Sequence, residues 1–203
     1  KNWSNISLNM INLHISDLYA KDGVLYAASS GAGVLKSTDL GETWELFNEG
    51  LERIGVNSIE VFHDSLFVMT KGRGVSFTTD MGDTWCQSST ENMLWGEQHL
   101  VKYNNFLLST SDEGMFKLNC ISKEWEKICD DRFNNCFVFE NKLFAHLNNK
   151  GYCCSNDTGK TWILKESGLP AGSRYDLTSV DNILFGAIQY DGVYRSINGG
   201  ESW

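Results

Sequence analysis

Short apolar runs bounded by glycine and polar residues recur along the chain. Five of them begin on a glycine: Gly33–Ser37, Gly74–Thr78, Gly114–Leu118, Gly151–Ser155 and Gly192–Ser196. Their length, apolar content and polar flanks predict strands. An apolar segment precedes each, such as Val24–Ala28 or Asn182–Ile188, and another lies upstream of that, such as Ser58–Phe62. A further short strand leaves the tryptophan that closes the unit. The pattern therefore predicts four short antiparallel strands per unit.

Trp3, Trp44, Trp85, Trp125, Trp162 and Trp203 are separated by 41, 41, 40, 37 and 41 residues, and each of the last five follows its unit's glycine by eleven positions. A period near forty with this strand content predicts a radially repeated sheet. Four-stranded units of that kind are the blades of a β-propeller. The expected fold is all-β, a propeller of five roughly 40-residue blades in a single domain, 1–203, with units at about 4–44, 45–85, 86–125, 126–162 and 163–203. Trp3 and Trp203 share one phase of the repeat, which leaves two readings open. In one, a five-bladed ring closes with Trp3 to about Leu8 as fourth strand of the blade built from Asp176 to Ser196. In the other, the five units are an arc of a larger propeller, with the remaining blades in a longer chain.

Three tryptophans end near-identical octapeptides: Ser37-Thr-Asp39-Leu-Gly41-Glu-Thr-Trp44, Thr78-Thr-Asp80-Met-Gly82-Asp-Thr-Trp85 and Ser155-Asn-Asp157-Thr-Gly159-Lys-Thr-Trp162. This Ser/Thr-x-Asp-x-Gly-x-x-Trp pattern resembles the Asp-box, or BNR repeat, of propellers such as sialidases, sortilin-type receptors, xyloglucan-degrading glycosidases and photosystem assembly factors. The resemblance implies a turn between the third and fourth strands of each blade. Asp39, Asp80 and Asp157 are suited to accept backbone N–H bonds in such a turn. Gly41, Gly82 and Gly159 permit a positive φ at the bend. Trp44, Trp85 and Trp162 supply apolar faces for packing between blades, with an indole N–H seeking a partner. These nine residues are read as structural. Two copies depart from the pattern: Leu118-Asn-Cys120-Ile-Ser122-Lys-Glu-Trp125 lacks both aspartate and glycine, and Ser196-Ile-Asn198-Gly-Gly200-Glu-Ser-Trp203 carries asparagine. The third blade should have the least regular outer turn, with a different bend at Ser122.

Composition adds bounds rather than identity. The chain carries a net charge of −9, which disfavours nucleic acid or anionic lipid as the main partner. No apolar run approaches the roughly twenty residues of a membrane-spanning helix, so membrane insertion is not expected. Cys86, Cys120, Cys129, Cys136, Cys153 and Cys154 contain no C-x-x-C pair, and the neighbours Cys153 and Cys154 should face opposite sides of one strand. Free thiols are the plainer reading, with Cys120–Cys154 or Cys129–Cys136 bridges as alternatives. His14, His63, His99 and His146 fall at four different phases of the repeat, so no shared metal site and no cofactor are expected. The family resemblance implies a secreted or periplasmic protein, while the cysteine usage leaves the cytoplasm open.

In propellers of this kind function sits on the face made by blade-linking segments and by turns between second and third strands. The candidate ligand-binding residues there are Arg53, Arg73, Trp95, Glu97, Asp112, Glu113, Arg174, Tyr190 and Asp191. Trp95 is the one tryptophan outside the beat, and it suits a sugar-stacking platform, a protein hot spot or a plug for the channel. A sialidase would need an arginine triad, a tyrosine nucleophile backed by glutamate, and usually an Arg-Ile-Pro. The chain has five arginines, Arg53, Arg73, Arg132, Arg174 and Arg195, and no Arg-Ile-Pro. Another glycosidase would need two facing carboxylates, for which Glu97, Asp112, Glu113 and Asp191 are candidates. The expected function is a non-catalytic module that presents its loop face to a protein or glycan, with glycoside hydrolysis as the alternative.

Overall fold

The computed structural model describes residues 13–51, 55–72, 74–80, 82–88, 99–148, 151–165, 167–170, 175–188 and 190–203. Among them are nineteen strands in five antiparallel sheets. The first sheet holds β1 (Ile15–Lys21), β2 (Val24–Ser29), β3 (Gly33–Ser37) and β4 (Glu45–Leu46), in that order. The second holds β5 (Val56–Phe62), β6 (Ser65–Thr70), β7 (Gly74–Thr78) and β8 (Cys86–Gln87). The third comprises β9 (His99–Tyr103), β10 (Phe106–Ser111), β11 (Gly114–Leu118) and β12 (Trp125–Cys129), and the fourth β13 (Phe133–Phe139), β14 (Lys142–Leu147), β15 (Gly151–Ser155) and β16 (Ile163–Leu164). The fifth shows β17 (Tyr175–Val180), β18 (Ile183–Ile188) and β19 (Gly192–Ser196). The fold is a five-bladed β-propeller. The strand exchange expected of Trp3 to Leu8 lies outside the described residues. The chain divides into two compact units, one of residues 1–100 and 120–125, the other of residues 101–119 and 126–203.

The glycine-initiated strands β3, β7, β11, β15 and β19 begin and end where the sequence pattern places them. First and second strands join through two-residue turns. In three of these both residues take positive φ: Asp22 and Gly23, His63 and Asp64, Glu140 and Asn141. That is the backbone that matches the right-handed twist of paired strands. The first strands of sheets one, two and four carry a register shift at one place, between Ile15 and Asp17, Val56 and Ser58, and Phe133 and Asn135.

Within each unit, packing proceeds from one sheet to the next. In the first unit Ala28 and Val34 of sheet one share an apolar cluster with Val56, Ile59, Leu66, Val68 and Trp85 of sheet two. In the second, Met115 of sheet three packs with Phe133, Ala145 and Cys153, and Tyr152 and Cys154 of sheet four pack with Leu177, Leu184 and Trp203. Cys153 and Cys154 thus face opposite sides of β15, and all six cysteines are free thiols. Each buried side chain of this size contributes about 1.5–3 kcal/mol. Polar bonds accompany the apolar ones: Asp17 Oδ2 accepts from Ile59 N at 2.9 Å and Ser58 Oγ at 3.1 Å, and Ser58 Oγ accepts from Leu100 N at 3.2 Å.

The tryptophans stitch these contacts. Trp85 N donates to Glu49 O and its indole Nε1 to Phe47 O at 2.9 Å, both in the segment leaving sheet one. Trp203 repeats the arrangement on Ser167 O and Lys165 O and meets the Tyr152 ring edge-on at 5.6 Å. Trp44 and Trp162 instead return their indole N–H to the carbonyl of their own turn glycine, Gly41 and Gly159.

The three intact octapeptides make one turn. Ser37 Oγ donates to Asp39 Oδ1 at 2.8 Å and accepts from Gly41 N at 2.8 Å, while Thr43 donates to Asp39 through both N and Oγ1, at 2.9 and 2.6 Å. Thr78, Asp80, Gly82 and Thr84 repeat this, as do Ser155, Asp157, Gly159 and Thr161. Gly41, Gly82 and Gly159 take positive φ, and so do the preceding Leu40 and Thr158, a requirement invisible in residue types that disfavour that region. The asparagine copy keeps the turn: Asn198 Oδ1 accepts from Ser196 Oγ and Ser202 N, and its Nδ2 donates to Ser202 Oγ at 2.9 Å. The third copy is rebuilt as expected. Its positive φ sits on Lys123, one residue later than the glycine position, and the following strand β12 has five residues where β4, β8 and β16 have two.

Candidate functional site

Each sheet has two ends. The octapeptide turns lie at the end of the β1–β2 type hairpins. The opposite end carries the turns from second to third strand and the segments that enter the next sheet. Asn48 ties these together in sheet one: its Oδ1 accepts from Val34 N at 2.8 Å and its Nδ2 donates to Ala32 O at 2.7 Å. A Cβ on Gly33 would fall 2.2 Å from Asn48 Oδ1 and one on Gly114 2.2 Å from Cys129 O, so at these two positions glycine serves close approach as well as a positive φ, whereas at Gly192 nothing lies within 4 Å. In the first three sheets a hydroxyl at the end of the second strand also braces the turn. Ser29 Oγ accepts from Gly31 N and Ala32 N, and Thr70 and Ser111 donate to Gly74 O and Gly114 O.

Asp112 and Glu113 occupy the β10–β11 turn, where Glu113 N donates to Ser111 Oγ at 3.1 Å and Asp112 is exposed. Tyr190 and Asp191 occupy the β18–β19 turn. The second strand there ends in Ile188, which has no hydroxyl, and other bonds hold the turn: Asp191 N donates to Ile188 O, and Tyr194 OH donates to Asp191 Oδ2 at 2.5 Å. Tyr190 is held at φ 67° and its side chain is 98% exposed. A bulky residue in the left-handed region costs on the order of 1–2 kcal/mol and persists only where its surroundings enforce it. The structure therefore brings Tyr190 together with Asp191 and Asp112 with Glu113, in separate turns on the fifth and third sheets. Arg53, Arg73, Trp95, Glu97 and Arg174 lie outside the described residues.

The octapeptide carboxylates are spent on their own turns. Hydrogen bonds from Thr43 and Ser37 hold the Asp39 carboxyl down at about 2, and those from Thr78 and Thr84 hold Asp80 lower still. At Asp157 desolvation opposes the shift, but donors on Thr161 and Ser155 outweigh it and the carboxyl is again lowered. Between sheets four and five a small cavity is lined by Cys136, Phe137, Phe144, Ala145, His146, Tyr152 and Leu177. Burial pushes the Cys136 thiol up to about 12 and the Tyr152 phenol well above its ordinary range. Both stay protonated at neutral pH, so the cavity offers neither a thiolate nor a phenolate nucleophile. Among the described residues no group of three or more His, Cys, Asp or Glu side chains is placed to hold a metal ion.

Asn48, Asp17 and the Tyr194–Asp191 pair were not anticipated from sequence. Their residue types do not recur at the matching positions of the other units, so the beat that exposes the tryptophans gives no signal for them.

The sequence matches no family model and no curated protein. In fold the chain is similar to YCF48 bound to D1 peptide, with a TM-score of 0.73 at 18% identity, over 95% of this chain and 67% of that one. It is similar also to YCF48 from Cyanidioschyzon merolae, at 0.66 and 14% over 95% of this chain and 71% of that one. A third likeness is the Niastella koreensis GH74 enzyme, at 0.69 and 16%, covering 94% of this chain and 30% of that one. At such identities the likeness is one of fold. Propellers of this kind thus include both a peptide binder and a glycoside hydrolase.

Proposed function

We propose that residues 1–203 form one Asp-box β-propeller module that binds an extended protein segment without catalysis, at the end of the sheets that carries the second-to-third-strand turns. The observation that carries this reading is Tyr190, fully exposed at a turn tip and held by its neighbours in a strained backbone. A rigid exposed aromatic loses little entropy on contact and is a common anchor of interfaces. Asp191 beside it, Asp112 and Glu113 in the corresponding turn of the third sheet, and a net charge of −9 favour a segment with basic residues. The likeness to a propeller solved with a peptide supports the same reading at the level of fold. A glycan partner and a glycosidase activity are the competing readings, the latter favoured by the GH74 likeness.

The test is a screen of immobilised extended peptides of varied charge beside a glycan array, followed by titration of the hits against the parent chain and Tyr190→Ala. Binding confined to basic peptides and weakened about tenfold or more by Tyr190→Ala, with an unchanged melting temperature, is the expected result. Glycan-only binding, or turnover of a xylogluco-oligosaccharide or sialoside reporter that Asp191→Asn abolishes, would replace the proposal with its competitors.

A further inference from the structure

Asn198 and Gly199 form the one Asn-Gly dipeptide in the chain. They stand in the outer turn of sheet five, where the intact octapeptides place Asp39, Asp80 and Asp157 followed by Leu40, Met81 and Thr158. Neither backbone nor space reserves the second position for glycine. Gly199 has φ 65°, which Leu40 matches at 61° and Thr158 at 66°. Among the described residues, a Cβ on Gly199 would meet only Glu140 Oε2, at 3.8 Å. What glycine supplies here is an uncrowded backbone nitrogen beside an amide side chain. Asn198 is exposed, as Asp39 and Asp80 are in their turns, and among the described residues Gly199 N donates to no acceptor. The amide is also oriented. Ser202 N can only donate, so the atom facing it at 3.0 Å is Oδ1, which takes a second bond from Ser196 Oγ at 2.8 Å. Two fixed donors on one carbonyl oxygen polarise its carbon and stabilise negative charge that develops on the oxygen.

We infer that Asn198 is a site of spontaneous deamidation and that its turn directs the product to ordinary aspartate. Gly199 N bonds to Asn198 Cγ, and the oxyanion forming on Oδ1 rests on Ser202 N and Ser196 Oγ. The Cγ–Nδ2 bond then breaks. Ammonia leaves with the proton that Gly199 N gives up through solvent, and a five-membered succinimide remains. Water adds at one of the two ring carbonyls. Attack at Cγ breaks the Cγ–N bond and yields aspartate in a normal backbone. Attack at the backbone carbonyl of residue 198 yields isoaspartate, which routes the chain through the side chain and lengthens it by one carbon. The three intact turns show which product fits. Thr43, Thr84 and Thr161 each donate a hydroxyl to the second carboxylate oxygen of their aspartate, at 2.6–2.7 Å. Ser202 Oγ, which accepts from Asn198 Nδ2 at 2.9 Å, has only to reverse that bond once the amide nitrogen is gone. Isoaspartate instead takes the carboxylate away from the place that Ser196 and Ser202 address. The strands on either side hold the turn while the ring opens, so the opening that restores these bonds is favoured.

The test incubates the chain at mildly alkaline pH, folded in buffer and unfolded in guanidinium chloride. Position 198 is then read by peptide mapping, with a fragmentation that separates aspartate from isoaspartate. The folded chain should convert Asn198 mainly to aspartate, and the unfolded chain mainly to isoaspartate. Gly199→Thr, which copies the turn of sheet four, should slow the conversion about tenfold or more, because its Cβ crowds the attacking nitrogen. Asn198→Asp should melt as the parent does at neutral pH. The inference is overturned if folded Asn198 stays intact while the unfolded chain converts, if isoaspartate predominates in the folded chain, or if Gly199→Thr converts as fast as the parent. An Asn198→Asp variant that melts well below the parent would equally overturn it, since the product would then not fit the turn.

Discussion

The turn that ends in Trp85 and the turn that ends in Trp125 do the same job with almost no chemistry in common. In the first, an aspartate collects donors from Thr78 and Thr84, a glycine bends the chain, and the indole reaches back to Phe47 O. In the second, both aspartate and glycine are missing. Ser88, just beyond β8, substitutes for them: its hydroxyl donates to Lys123 O and accepts from Trp125 Nε1 at 3.0 Å. One turn is held by its own residues, the other by the neighbouring sheet. What the repeat preserves is the seat of the tryptophan, and the octapeptide is one of two ways to obtain it.

The largest effect should come from Gly82→Ala. Gly82 sits at φ 104°, and an added Cβ would lie 1.8 Å from the Phe47 ring, so both backbone and packing must give. A loss of roughly 3 kcal/mol or more in urea unfolding is expected. Glycine introduced at Ser122, the same position in the rebuilt turn, should change stability by less than about 1 kcal/mol; a comparable gain at Ser122 would mean that the two turns bend alike after all. Next in size is Ser88→Ala, which leaves the Trp125 indole and Lys123 carbonyl without this partner and should cost about 1–3 kcal/mol. Ser37→Ala deletes a hydroxyl of similar bonding in a turn that holds itself; an equal loss in the two variants, measured by the same unfolding transition, would erase the distinction drawn above.

The smallest effect concerns charge. Asp39, Asp80 and Asp157 all have lowered carboxyl pKa values in the folded chain. The unfolded chain takes up protons first, near the ordinary value of about 3.9, so their stabilisation is full above that pH and is lost as pH falls toward 2. Asn198 already makes the turn without a charge. Replacing the three aspartates by asparagine should therefore leave neutral-pH stability little changed and flatten its decline between about pH 4 and 2. An undiminished acid slope in the triple variant, followed by thermal melts at stepped pH, would place the sensitivity elsewhere.

Much of this fold was legible because the repeat writes it five times. Glycine before each third strand and tryptophan after each outer turn are demanded by backbone geometry and by interblade packing, and few other residues satisfy either. Leu40 and Thr158 escaped notice for the converse reason: nothing in their side chains signals a positive φ, and the turn imposes it. Asn48 acts once, and a single occurrence has no rhythm to betray it; Asp17 shares its position with Ser58, 41 residues on, which takes the same bond from the next sheet, but the residue type changes from aspartate to serine and leaves no pattern to read. Of the candidate site, the turns bearing Asp112, Glu113, Tyr190 and Asp191 could be placed from strand spacing alone, but the bond between Tyr194 and Asp191 depends on three dimensions.

The indoles of Trp85, Trp125 and Trp203 reach back 37–38 residues to the sheet made before them. On a ribosome, the sheets that these three indoles reach would wait for Trp85, Trp125 or Trp203 to emerge before their outer edges are pinned, whereas Trp162 closes on its own turn. At these three steps folding advances like a zipper with a lag of one tooth, each depending on a partner about forty codons downstream. A translational pause just before one of these tryptophans would hold the preceding blade half-fastened, and that is where a nascent chain of this design is most open to capture by a chaperone.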